Sequence, residues 1–137
     1  MDSECLQTGV NSLQKLGFET VLGSGIKDRL GYLAGTDERR ASELTAFIED
    51  PEIDAVVCAR GGYGSVRILE RLDAALFRRA RKPLVGYSDI TTLLLWQQRC
   101  AGLMGLHGPM LERPDGIPAE AGRALVRALT GTGPPVR

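Results

Sequence analysis

Val85-Gly86-Tyr87-Ser88-Asp89-Ile90-Thr91 sets a serine between an apolar, strand-like run and an apolar helical pattern. At such a junction the chain bends sharply and lifts Oγ above the ends of the strands, the arrangement of a nucleophile elbow. The amides that follow belong to a helix N-terminus, where N–H groups lack intrahelical partners and the dipole favours negative charge. The Asp89 N–H is thereby placed to hold an oxyanion. The pattern G-x-S-x-G is incomplete, because Ile90 stands at its last position. The same residues also admit a reading without chemistry, in which Ser88 or Asp89 caps the helix.

A second chemically loaded loop is Arg60-Gly61-Gly62-Tyr63-Gly64. Its glycines permit positive φ and close backbone approach, which suits an oxyanion or anion cradle and equally a tight turn with no chemistry. The dinucleotide pattern G-x-G-x-x-G fails, since Arg67 falls where the third glycine is needed, and no Gly-Lys-Ser/Thr follows for a Walker A loop. A projecting serine beside bare amides is the layout of acyl transfer, in which two N–H donors hold a tetrahedral oxyanion. Arg60 offers a planar fork for a substrate carboxylate, or for loop carbonyls. His107, the one histidine, lies in Leu106-His107-Gly108-Pro109 and could bond backbone, touch a ligand or act as a base. Arg60, Gly61, Tyr63 and His107 are therefore the candidate substrate contacts.

The elements that must position these residues follow from hydrophobic periodicity. Leu6, Val10, Leu13 and Leu16 predict a helix over 3–16 with Gly17 past its end. Residues 18–22 (FETVL) read as a short strand and 23–35 as a Gly-rich loop. Thr36 is an N-cap for a helix that stops before Pro51. The run 53–59 (IDAVVCA) predicts a strand covered on both faces, followed by helices near 66–72 and 74–80. A strand over 83–86, a helix over 90–101, a strand over 103–106, a helix over 119–130 and a loose tail over 131–137 complete the chain. Strands alternating with helices define an α/β protein with a mainly parallel sheet, whose ligands bind beyond the carboxyl ends of the strands.

Composition narrows the function classes. The 137 residues carry 17 basic and 17 acidic side chains and no net charge, which gives no electrostatic footprint for nucleic acid or an anionic membrane. Arg78, Arg79, Arg81 and Lys82 then read as a solvated helix face. No apolar run approaches the ~20 residues of a membrane span. Met1-Asp2-Ser3-Glu4 is acidic where a signal peptide is basic. Cys5, Cys58 and Cys100 are too scattered for a zinc site or a disulfide framework, so they are expected as reduced structural thiols in a cytoplasmic protein.

Four motifs in order carry a family resemblance: Tyr32-Leu33-Ala34-Gly35-Thr36-Asp37-Glu38-Arg39-Arg40, Ala59-Arg60-Gly61-Gly62-Tyr63-Gly64, Val85-Gly86-Tyr87-Ser88-Asp89-Ile90-Thr91 and His107-Gly108-Pro109-Met110. The series resembles the LD-carboxypeptidases, serine peptidases that trim murein tetrapeptides, and their relatives the microcin C immunity proteins. The resemblance implies that Ser88 is the nucleophile, with oxyanion donors at the Asp89 N–H and at Gly62. It implies a flavodoxin-like, doubly wound N-terminal domain over 1–113, lacking its first strand, with 114–137 as helix and linker towards a missing C-terminal domain. The family's catalytic Glu and His belong to that second domain, and His107 matches a position that is not the catalytic histidine. The substrate expected is a small murein tetrapeptide cut between L-diaminopimelate or L-lysine and D-alanine, without metal or cofactor, by a cytoplasmic homodimer. The alternatives are a hydrolase of acyl-sulfamoyl nucleotides of the microcin-immunity type, or a non-enzymatic α/β ligand-binding module.

Overall fold

A computed structural model describes residues 2–132. Helix α1 (Ser3–Lys15) starts where the Asp2 carboxylate accepts the Glu4 N–H at 3.2 Å. It stops in a Schellman arrangement: the Gly17 N–H bonds the Gln14 carbonyl, the Phe18 N–H bonds that of Leu13, and Gly17 takes φ 93°. Helix α2 (Asp37–Glu49) is capped by Thr36, whose hydroxyl accepts the Arg39 N–H at 3.2 Å. Its C-terminal carbonyls at Phe47 and Asp50 accept from the Lys82 ammonium, a cation at the negative end of a helix dipole. Arg78 likewise donates to the Cys100 carbonyl at 2.7 Å. Part of the basic stretch expected as a solvated face thus binds carbonyls that their own elements leave unpaired.

Strands β1 (Val56–Val57), β2 (Leu84–Gly86) and β3 (Leu106–His107) form a parallel sheet in the order β1-β2-β3. Val56 faces Leu84 and Val57 faces Val85, while Val85 faces Leu106 and Gly86 faces His107. Between β1 and β2 come a 3₁₀ helix (Ser65–Arg71) and helix α3 (Ala74–Ala80). After β2 a 3₁₀ turn (Ser88–Ile90) runs into α4 (Thr91–Trp96) and widens to a π turn (Gln97–Ala101). Helix α5 (Ala119–Thr130) follows β3.

Successive strand residues point to opposite faces, so the neighbours Leu84 and Val85, both 0% exposed, serve different cores. Leu84 packs with Ile48, Phe77, Leu93 and Met110 under α2, α3 and α4. Val85 packs with Leu6, Val10, Leu13, Leu111 and Leu125 under α1 and α5. The result is three layers with a small parallel sheet in the middle. Full burial of each of these two side chains contributes roughly 1.5–3 kcal/mol.

Four expectations need correction. Residues 18–22 form no strand: a strand needs a lateral backbone partner, none pairs with this segment among the described residues, and Val21 and Leu22 stay exposed. Only Val56–Val57 of the run 53–59 enters the ladder, and the last strand is shifted to Leu106–His107. The helix expected over 66–72 is a 3₁₀ helix. The tail expected over 131–137 lies outside the described residues beyond Thr132.

Candidate active site

The bend after β2 is built from Gly86 onwards. A Cβ on Gly86 would lie 2.6 Å from Ile90 Cγ2 and 2.9 Å from Ile90 Cβ, so the strand can fold back onto its own helix only without a side chain there. Tyr87 is extended, with φ −148°, and Ser88 takes φ 57°, in the left-handed region that non-glycine residues rarely occupy. Ser88 is exposed at the carboxyl end of β2, and its Oγ makes no hydrogen bond among the described residues.

Neither Ser88 nor Asp89 caps the helix that follows: the 3₁₀ turn and α4 start without a side-chain cap. The Asp89 carboxylate instead turns to the glycine loop, where the Ser65 N–H and Oγ–H both donate to Oδ2 at 2.9 and 2.7 Å. The Asp89 N–H has no acceptor among the described residues.

The glycine loop lies directly against the serine. A Cβ on Gly61 would stand 3.1 Å from Ser88 Cβ and 3.3 Å from Ser88 Oγ. Gly62 and Gly64 take φ 110° and 115°, conformations that turn backbone amides without steric cost. The Gly62 N–H has no acceptor among the described residues either. The exposed Arg60 guanidinium folds over this stretch, with Nη2 3.1 Å from where a Gly62 Cβ would be. Arg60 makes no hydrogen bond or ion pair among the described residues, so the loop-carbonyl role that the sequence allowed for it is not taken up.

Behind the loop, the Arg40 guanidinium donates to the Gly64 carbonyl at 3.2 Å and to Asp37 Oδ1 at 2.6 Å. Arg67 reaches the same carboxylate, with Nη2 2.9 Å from Oδ2. These two guanidinium groups hold the Asp37 carboxyl down at about 2, with the Arg67 hydrogen bond the larger cause. Sequence reasoning saw in Thr36 to Arg40 a helix start and part of a family motif, but no contact with the glycine loop. An acid three residues before an arginine was a visible sign of a pair, but its reach to Gly64 was not.

Tyr63 leaves the loop outwards and meets Tyr32 edge to face, ring centroids 5.8 Å apart. His107 is exposed, and its ring lies 6.1 Å from that of Tyr87. Its side chain bonds neither backbone nor Ser88 among the described residues. The Tyr87 hydroxyl donates to Glu112 Oε1 at 3.0 Å, a bond that pushes the tyrosine pKa up. Cys58 packs behind the bend, where burial pushes its thiol up to about 12. Ser88, Asp89, Gly61, Gly62 and Arg60 are thus brought together, with Tyr63 and His107 at the rim. Such a constellation can present a hydroxyl, N–H donors and a cation, all unpaired among the described residues, to one small anionic acyl compound. Among the described residues no helix is long and apolar enough to cross a membrane.

Residues 1–108 match the family described as the LD-carboxypeptidase N-terminal domain. The probable murein peptide carboxypeptidase of Bacillus subtilis is 40% identical over 116 residues, which cover 85% of this chain and 36% of that protein. The structure of a muramoyltetrapeptide carboxypeptidase from Oxalobacter formigenes matches with a TM-score of 0.84 at 28% identity, over 98% of this chain and 46% of that one. The wild-type apo structure of the microcin C7 self immunity protein matches with a TM-score of 0.85 at 28% identity, over 92% of this chain and 39% of that one. The chain therefore spans little more than a third of the length of the curated relative and less than half of either solved one.

Proposed function

The chain belongs to the LD-carboxypeptidase family, as its N-terminal domain, and on that premise we propose that Ser88 is the nucleophile of a serine carboxypeptidase acting on murein tetrapeptides. Ser88 Oγ attacks the carbonyl of L-diaminopimelate or L-lysine, D-alanine leaves, and water hydrolyses the resulting ester. The Asp89 and Gly62 N–H groups hold the oxyanion in both steps. Arg60, a cation beside Gly62 without a partner among the described residues, takes the terminal carboxylate, with Gly61, Tyr63 and His107 as further contacts. Residues 1–113 form this nucleophile-bearing unit, flavodoxin-like in its winding, and 114–137 lead towards a second domain in a cytoplasmic homodimer.

A serine hydroxyl without a base is a weak nucleophile at neutral pH. The family resemblance assigns the Glu and His that activate it to the second domain. A chain acting without those groups keeps only the contribution of oxyanion donors and binding.

One observation supports the reading above all others: a serine at φ 57°, exposed, its Oγ uncommitted among the described residues and against the Gly61 backbone. The assay is D-alanine release from a murein tetrapeptide by this chain supplemented with the second domain of a relative. Release that persists in Ser88→Ala at the wild-type rate would overturn the assignment. The similarity to the microcin C7 self immunity protein supports a second reading, hydrolysis of an acyl-sulfamoyl nucleotide by the same serine. Turnover of the two substrate types side by side separates them.

A further inference from the structure

We propose that the Asp89 carboxylate and Ser65 form a latch that sets the separation of the two oxyanion donors; the inference rests on the reading of Ser88 as the nucleophile. The donors sit on different segments, the Asp89 N–H on the bend after β2 and the Gly62 N–H on the glycine loop. Gly61, Gly62 and Gly64 carry no side chains with which to anchor that loop. It is anchored at its end instead. Ser65 is 4% exposed and follows Gly64 directly, and both of its donors converge on Asp89 Oδ2 at 2.9 and 2.7 Å. Arg40 ties the Gly64 carbonyl from the other side.

The latch therefore joins the residue that offers one N–H to the loop that offers the other. Hydrogen bonds to a carboxylate are stronger than neutral ones, and these two are partly shielded from water. The left-handed φ of Ser88 is strained, and such a conformation persists only where its surroundings over-determine it. A carboxylate on the very next residue, fixed to a buried serine 24 positions away, supplies that restraint. Asp89 through its side chain, and Ser65, are positioning residues: neither side chain touches the reacting atoms.

The test uses a fluorophosphonate probe on the full chain supplemented with the second domain of a relative, which supplies the activating base. Phosphorus bonds to Ser88 Oγ, the P–F bond breaks, fluoride leaves, and the hydroxyl proton passes to that base. Saturation kinetics separate probe affinity from the rate of bond formation. Outright loss of one oxyanion donor costs about 10²–10³-fold; a loosened latch is expected to slow bond formation about tenfold in Ser65→Ala and in Asp89→Asn. Probe affinity and melting temperature stay near wild type, and Ser65→Thr restores the rate. Unchanged rates in both variants, with labelling still dependent on Ser88, overturn the latch. Should Ser65→Ala fail to fold, the isosteric Asp89→Asn decides by the same criterion. Labelling that is absent from the wild type or that persists in Ser88→Ala overturns the nucleophile reading instead. The latch is then judged by NMR order parameters at Gly61, Gly62 and Tyr63, which fall in Asp89→Asn if it holds the loop and are unchanged if it does not.

Discussion

Gly61→Ala is a local perturbation of the bend whose effect can be worked from distances. The added methyl lies 3.1 Å from Ser88 Cβ, 3.3 Å from Ser88 Oγ and 3.5 Å from Met110 Cε. Carbon pairs settle near 3.5–4.0 Å, so the contact with Ser88 Cβ is about 0.4–0.9 Å too short. Gly61 does not have a positive φ, and its backbone accepts alanine without strain. Ser88 Cβ cannot retreat by turning a side-chain torsion, because it is bonded to a backbone already held at φ 57°. Loop and bend must therefore part by a few tenths of an ångström. Overpacking costs about 1–3 kcal/mol, with this partly exposed contact at the lower end. A reduced unfolded-state entropy offsets about 0.4–1 kcal/mol of it. A misplacement of 1 Å can cost about 10²-fold in rate, so half of that corresponds to about tenfold. The expected result is a melting temperature lowered by no more than about 4 °C, together with about tenfold slower labelling of Ser88 by a fluorophosphonate when the second domain of a relative is supplied. Labelling at the wild-type rate would refute the contact argument, and so would a slowing no larger than the unfolded fraction explains.

Other outcomes follow from single features. Asp37 has a folded pKa of about 2 against an ordinary 3.8, so the unfolded chain binds more protons between those values. Its contribution to stability is complete above about pH 4 and is lost as pH falls through that window; urea titrations should show Asp37→Asn flattening this part of the profile, and an identical slope in both proteins refutes it. Phe77 is 1% exposed and meets Trp96 edge to face at 5.1 Å, so Phe77→Ala should lower unfolding free energy by about 3–5 kcal/mol in denaturant titrations. Cys100 is exposed, whereas desolvation pushes the half-buried Cys58 thiol up to about 12. A disulfide reagent at pH 8 should modify Cys100 promptly and Cys58 only after unfolding; equal rates in the native protein would contradict this.

Local signals in the sequence were read well where the local physics is decisive. Thr36 and Gly17 mark helix ends through bonds to residues within three to five positions, and periodic Leu6, Val10 and Leu13 mark a buried face. The serine between strand and helix and the glycine run were legible for the same reason. Partners distant in sequence were not. The Asp89–Ser65 bonds span 24 residues, and Arg40 reaches Gly64 across the same interval. Phe18 to Leu22 shows the converse: its β-rich composition is a local fact, whereas pairing depends on another segment lying alongside. The basic stretch 78–82 looked solvated because only its charge is visible in sequence, not the helix end that Lys82 reaches.

The partition of packing by Leu84 and Val85 has a practical side. Ile90, which buttresses the bend, belongs with Leu84, while α1 and α5 press on Val85 across the sheet. A fluorophore or spin label on the outward face of α1 or α5 would thus monitor whether the molecule is intact from behind a two-residue wall, leaving Ser88 and its neighbours undisturbed.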